Sequence, residues 1–190
     1  EMRDALKRQI REGNEIDKDE MRRSLTVSET LHTRSFWFLW TTWILAGAAG
    51  VSMTVLSTGY GLSLGLPLEG AVLILTAFNL TNGTGRLASG YFSDRLGRRR
   101  VMSLAFLAAG LAYFLFPLAG DLPTSAILAA VVGLSFGTLF SVSAPLVADC
   151  FGLDHFGAIF GLTFAAYGFL AGPLGPTLSG YLLDLNGDNF

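Results

Sequence analysis

Lysine and arginine are almost missing from this chain once two short stretches are set aside. All 13 lie between Arg3 and Arg34 or between Arg86 and Arg100, so every other connection lacks a basic side chain. Cysteine is reduced to Cys150 alone, which forms no internal disulfide and leaves the redox compartment open; it reads as an ordinary small residue. The two histidines, His32 and His155, stand far apart with no cysteine or carboxylate cluster beside them. Metal and nucleophile chemistry therefore find no support, and no cofactor is expected. Phosphate-binding loops are absent as well. No basic stub followed by an apolar core marks a cleavable signal peptide, and a start at Glu1 rather than Met suggests an internal fragment.

Charge of either sign is missing over whole stretches. From Ser35 to Leu68 there is none, in a chain that is 51% hydrophobic. A spanning helix needs about 20 apolar residues, at about 1.5 Å each, to cross a core about 30 Å thick. Five stretches qualify, near residues 36–60, 70–92, 101–119, 124–148 and 157–183, which predicts an all-α integral membrane protein. The net charge of -2 says little, because the charges are segregated; their placement matters more.

The charges that are present orient the chain. Residues 1–34 hold eight basic and eight acidic side chains and read as a cytoplasmic linker, a soluble or weakly helical segment as far as about Arg23. Thr26-Val27-Ser28-Glu29 has capping-box spacing and predicts a short helix running into Arg34. Phe36, Trp37, Phe38, Trp40 and Trp43 then crowd the start of the first span, where amphipathic rings favour the headgroup level. With this segment and the basic knot Arg95 to Arg100 both inside, two spans must lie between them, and two are found. Parity puts Gly61–Glu69, Gly120–Pro123 and Asp184–Phe190 outside and Asp149–His155 inside, and no outside segment carries a Lys or Arg. Short basic loops beside spans are explained by topology and anionic lipid, so nucleic acid is not a partner.

Twenty-three glycines imply close helix packing. Gly133-x-x-x-Gly137, Gly157-x-x-x-Gly161 and Gly168-x-x-x-Gly172 let backbones approach in lipid, with ordinary bundle packing the first explanation. Pro145, Pro173 and Pro176 each delete a helix hydrogen bond and invite kinks in the last two spans.

Arg86 is the only basic residue inside a span. Eight residues before Asp94, it lies about 12 Å into the core at the helical rise, close to the midplane. An arginine there costs about 2.5 to 3.5 kcal/mol on insertion scales, so it should face protein or water; snorkelling toward the cytoplasm is the alternative. On a helical wheel Asn79, Asn82, Arg86 and Ser93 fall within about 40° of one line, opposite Leu73, Leu80, Leu87 and Tyr91. A guanidinium on such a face suits bidentate capture of a carboxylate, with Asn79 and Asn82 adding neutral donors. Both asparagines match glycosylation sequons, but burial in the bilayer argues against modification. Tyr167 sits in the middle of the last span, where its phenol is either a ligand contact or an interhelical hydrogen bond.

Gly90-Tyr91-Phe92-Ser93-Asp94-Arg95-Leu96-Gly97-Arg98-Arg99 resembles the loop signature of the major facilitator superfamily. Arg34-Ser35-Phe36-Trp37, Asn82-Gly83-Thr84-Gly85-Arg86 and Phe151-Gly152-x-x-His155-Phe156-Gly157-x-x-x-Gly161 further resemble the oxalate/formate antiporter group, and its monocarboxylate-transporter relatives share part of the pattern. The likeness runs from about Leu25 to Asp184. It implies a twelve-helix fold of two halves around a central cavity, of which this chain resembles the central loop and helices seven to eleven. The amino-terminal half and the twelfth helix of the same transporter would be partners. By the same resemblance Arg86 matches the family's substrate-binding arginine, and Gly90, Asp94, Arg95, Gly97, Arg98 and Arg99 form the loop that latches the cytoplasmic side. Two departures stand out. Tyr167 occupies the place of a lysine that helps bind oxalate, and Asn82 that of the aspartate of proton-coupled monocarboxylate transporters.

The resemblance implies a non-enzymatic secondary transporter in the plasma or inner membrane, moving a small organic anion, a monocarboxylate rather than oxalate, by antiport or symport. A membrane-embedded anion sensor without net transport is the rival reading. A membrane-bound enzyme is a weaker third, since Asp149 with Asp154 alone do not make a catalytic pair.

Overall fold

Thr26 and Glu29 close the expected capping box: the Thr26 hydroxyl accepts from the Glu29 amide at 3.3 Å, and the Glu29 carboxylate accepts from the Thr26 amide at 2.8 Å. The helix they start, α1 (Val27–Leu31), does not run into Arg34. It stops because Thr33 turns extended and recaps the chain, its hydroxyl accepting from Phe36 N–H at 3.3 Å. The computed structural model describes residues 24–185; the linker expected up to about Arg23 and the last five residues lie outside the described residues.

Beyond Thr33 come α2 (Arg34–Ser63), α3 (Leu68–Leu96), α4 (Arg98–Leu115, followed by a 3-10 turn at Phe116–Leu118), α5 (Leu122–Phe151) and α6 (Phe156–Ala165). A π-helical segment (Ala166–Ala171) joins α6 to α7 (Gly172–Leu185) as one rod. No strand occurs among the described residues. Four helices are long and apolar enough to cross a membrane: Arg34–Ser63, Arg98–Leu118, Leu122–Phe151 and Phe156–Leu185. α3 matches them in length, but Glu69, Asn79, Asn82 and Arg86 dilute its apolar character, so composition alone does not qualify it.

α5 is the axis of the bundle and the most buried of these helices, packing most extensively on α3 and also on α4 and α2. Helices in lipid gain little from hydrophobicity, so close backbone approach must supply the attraction. A Cβ at Gly133 would collide with the Phe78 carbonyl and Thr81 hydroxyl, and one at Gly137 with the Asn82 carbonyl; Gly85 faces the Leu134 backbone in return. The Gly133/Gly137 pair therefore packs as expected. Gly157, Gly161 and Gly168 meet nothing within 4 Å, so the other two motifs are not packing seams among the described residues.

The aromatic run divides. Trp37 and Phe38 are exposed, but Phe36 and Trp43 are buried in the core, contrary to a headgroup position for all five. Helical spacing explains this, since Phe36, Leu39 and Trp43 share the inner face of α2. Pro145 lies inside α5 and Pro176 inside α7, while Pro173 is the second residue of α7, one position past the π segment, where missing amides loosen the α pattern. At one end Ser24 and Leu25 strap the bundle: Leu25 N–H donates to Phe151 C=O at 2.8 Å, and Gly152, at φ 84°, leaves room for Ser24. At the other, Asp121 caps α5 through Thr124 N–H at 2.9 Å, and hydrogen bonds from Thr124 hold its carboxyl below the usual range.

Candidate functional site

Arg86 is held by its own helix and by α5. Its Nε donates to Asn82 Oδ1, one turn back, at 3.1 Å, and its guanidinium lies 4.6 Å from the centroid of Phe140. Ser141 donates to the Arg86 carbonyl at 2.8 Å, tying the backbone to α5 at this level. Both terminal nitrogens remain without a protein partner among the described residues, and the side chain is exposed on the open side of the bundle. A planar fork fixed at Nε and free at both ends is arranged for end-on, bidentate binding of a carboxylate. No carboxylate pairs with Arg86 among the described residues, whose ion pairs both belong to Arg98.

The polar line on α3 is not one continuous exposed face. Asn82 and Ser93 are buried, whereas Asn79 and Arg86 are exposed, because the line runs along the edge of the α3–α5 contact. Asn82 thus positions the guanidinium rather than facing the cleft. Leu73, Leu80, Leu87 and Tyr91 are exposed on the opposite side, as the wheel indicates.

Tyr167 reaches the same place from the last rod, in the first turn of the π segment. Its ring lies 5.4 Å from Phe140, 5.5 Å from Phe164 and 5.7 Å from Trp43. Its hydroxyl makes no hydrogen bond among the described residues, which removes the interhelical bond as its role there. Phe140, which touches both Arg86 and Tyr167, has no role in the sequence reading, and Trp43 behind it is assigned there to the headgroup level. The signal was a helical spacing, Phe136 to Phe140, that reads equally well as plain core.

The loop residues gather at one end. A Cβ on Gly90 would come 3.1 Å from the Ser141 hydroxyl, and Gly97, at φ 91°, makes the turn between α3 and α4. Arg95 stacks on Tyr91 at 4.2 Å. Arg98 donates to the Pro145 carbonyl at 2.5 Å and pairs with Asp149 near the end of α5; Asp94 is a looser partner at 3.8 Å. Asp149 was not singled out for this from sequence, since nothing in its spacing links it to a loop some fifty residues earlier. Arg99 turns toward α2 and lines a cavity of about 420 Å³ with Ser35, Leu39, Met102 and Cys150.

The chain matches the Major Facilitator Superfamily over residues 38–187, and it belongs to that superfamily as a multi-pass membrane protein. Within it the chain is 31% identical over 140 residues to the oxalate:formate antiporter of Oxalobacter formigenes, covering 73% of this chain and 34% of that protein. It is 31% identical over 170 residues to apicoplast pyruvate carrier 1 of Toxoplasma gondii, covering 83% and 30%. Against monocarboxylate transporter 13 of Rattus norvegicus it is 28% identical over 150 residues, covering 73% and 35%. The chain spans about a third of the length of these curated relatives. The superfamily and these relatives are named as transporters and carriers, not as enzymes.

Proposed function

We propose that this chain is part of the carboxyl-terminal half of a secondary active transporter that carries a small organic anion, a monocarboxylate, by alternating access. α3 is the fifth span: its polar residues turn toward α5 and the open cleft, which suits an intramembrane helix lining a cavity. The spans then correspond to helices seven to eleven of twelve. Residues 1–34 are the cytoplasmic linker, and 35–190 an incomplete half whose partner is the rest of the transporter. The Arg98–Asp149 pair supports the parity argument, because it joins the two loops assigned to the cytoplasmic side. The plasma or inner membrane is the expected location.

The observation that carries this reading is Arg86, oriented by Asn82 and Phe140 with both terminal nitrogens free of partners among the described residues. Its charge takes one carboxylate; a dianion needs a second cation, and the position that would supply it is Tyr167. Asn79 and Tyr167 border the bound anion. Among the described residues Asn82 gives Arg86 a neutral rather than a titrating partner, which suits exchange. An empty site closes around an unpaired guanidinium at a cost of about several kcal/mol, whereas a loaded site closes neutral. Gly90 and Gly97 shape the loop from which Asp94, Arg95, Arg98 and Arg99 bias the two states, and substrate shifts the balance only through differential affinity.

The test is uptake of labelled oxalate, formate, lactate and pyruvate by the full-length transporter in proteoliposomes, wild type against Arg86→Gln. Monocarboxylate flux that needs anion on the opposite side and vanishes in the folded variant is expected. Unchanged flux in Arg86→Gln overturns the role of Arg86, and binding without flux favours an anion sensor.

A further inference from the structure

The last rod carries an aromatic edge that ends at Arg86. Phe156 and Phe160 stack with centroids 5.6 Å apart and planes 6° from parallel. Phe160 lies 6.1 Å from Phe164, Phe164 lies 5.5 Å from Tyr167, and Tyr167 lies 5.4 Å from the Phe140 ring beneath the guanidinium. Phe156 begins the rod just after the Asp149–His155 loop, at the end of the bundle where Arg98 pairs with Asp149. The edge therefore runs unbroken from that end to Arg86.

Phenylalanines one turn apart usually mark a core, and Phe156 and Phe160 do pack against it, but none of these rings is fully buried. Phe164 is 37% exposed, and Phe156, Phe160, Phe140 and Tyr167 are all partly open. Each of Phe156, Phe160 and Tyr167 is followed by a glycine, and Gly157, Gly161 and Gly168 meet no atom within 4 Å among the described residues, so no side chain of the described bundle covers the flank of the edge. Behind it Trp43 is buried with its indole N–H lacking an acceptor, and the Tyr167 hydroxyl is unpaired among the described residues. A ring with its carboxylate on Arg86 would find π faces alongside, and ring contacts of this kind favour aromatic over saturated groups beyond the area they bury.

We propose that the anion is a monocarboxylate bearing a planar aromatic group, its carboxylate on Arg86 and its ring against the Phe156–Phe160–Phe164–Tyr167 edge; this rests on the reading of Arg86 above. The edge then forms the wall along which the ring travels between the site and the cytoplasmic end.

The test compares benzoate with cyclohexanecarboxylate, and phenylpyruvate with pyruvate, as labelled substrates of the full-length transporter in proteoliposomes. Benzoate shares charge and size with its saturated counterpart but adds π faces. The expected result is a preference of about tenfold in kcat/KM for each aromatic member. That ratio should fall toward one in Phe164→Leu and be kept in Phe164→Tyr. Equal kcat/KM within both pairs in wild type overturns the aromatic class while leaving carboxylate binding by Arg86 intact. A preference that survives both Phe164→Leu and Phe160→Leu overturns the edge as its source. If no carboxylate is taken up and Arg86→Gln behaves as wild type, both readings fail together.

Discussion

At the scale of single residues, the proposed anion site rests on the geometry of one guanidinium more than on its charge. Lysine at position 86 keeps the charge but has neither the fork nor the flat face that lies over Phe140. Arg86→Lys should therefore raise KM for the anion about ten- to hundredfold, the value of one lost charge-assisted hydrogen bond. Asn82→Ala leaves the charge and the ring contact but frees Nε, and KM should rise only several-fold, with kcat little changed. Initial uptake rates across substrate concentration separate the two, and equal losses would show that Asn82 does more than orient Arg86.

At the scale of elements, the α3–α5 crossing is a backbone contact made by glycines. Gly133→Leu forces a side chain into the Phe78 carbonyl, an overpacking that costs about 1–3 kcal/mol. Gly161→Ala places its methyl in open space and should change stability by no more than about 0.5 kcal/mol. Thermal unfolding of the detergent-solubilised protein should lower the midpoint for the first variant alone; equal midpoints would contradict the crossing. The π segment belongs to this scale too, because it sets which way Tyr167 faces from an otherwise continuous rod.

At the scale of the whole molecule, Arg98 is the tie between the signature loop and the end of α5. Its pair with Asp149 is partly exposed, so solvent screening limits it to about 1 kcal/mol. That is enough to shift a balanced two-state equilibrium about fivefold. Cys150 lines the cleft beside Asp149 and reports on it. Asp149→Asn should speed labelling of Cys150 by a membrane-impermeant maleimide several-fold, in a background free of other reactive cysteines. An unchanged rate would mean that the pair is a static tie with no part in opening.

Sequence alone determined the all-helical membrane class, the boundaries of the long helices to within a few residues and the capping box at Thr26. Each of these follows from local quantities: runs of apolar side chains and hydrogen-bond spacing within one turn. Only the tertiary structure decided that Asn82 turns inward while Asn79 faces out, and that Trp43 is core rather than interface. It also decided that Arg98 finds Asp149 and that Phe140 lies between Arg86 and Tyr167. These are meetings between residues on different helices, far apart along the chain, or choices between two sides of one helix. Periodicity gives each helix a face but not a neighbour, and the neighbour is set by where glycines let two backbones close.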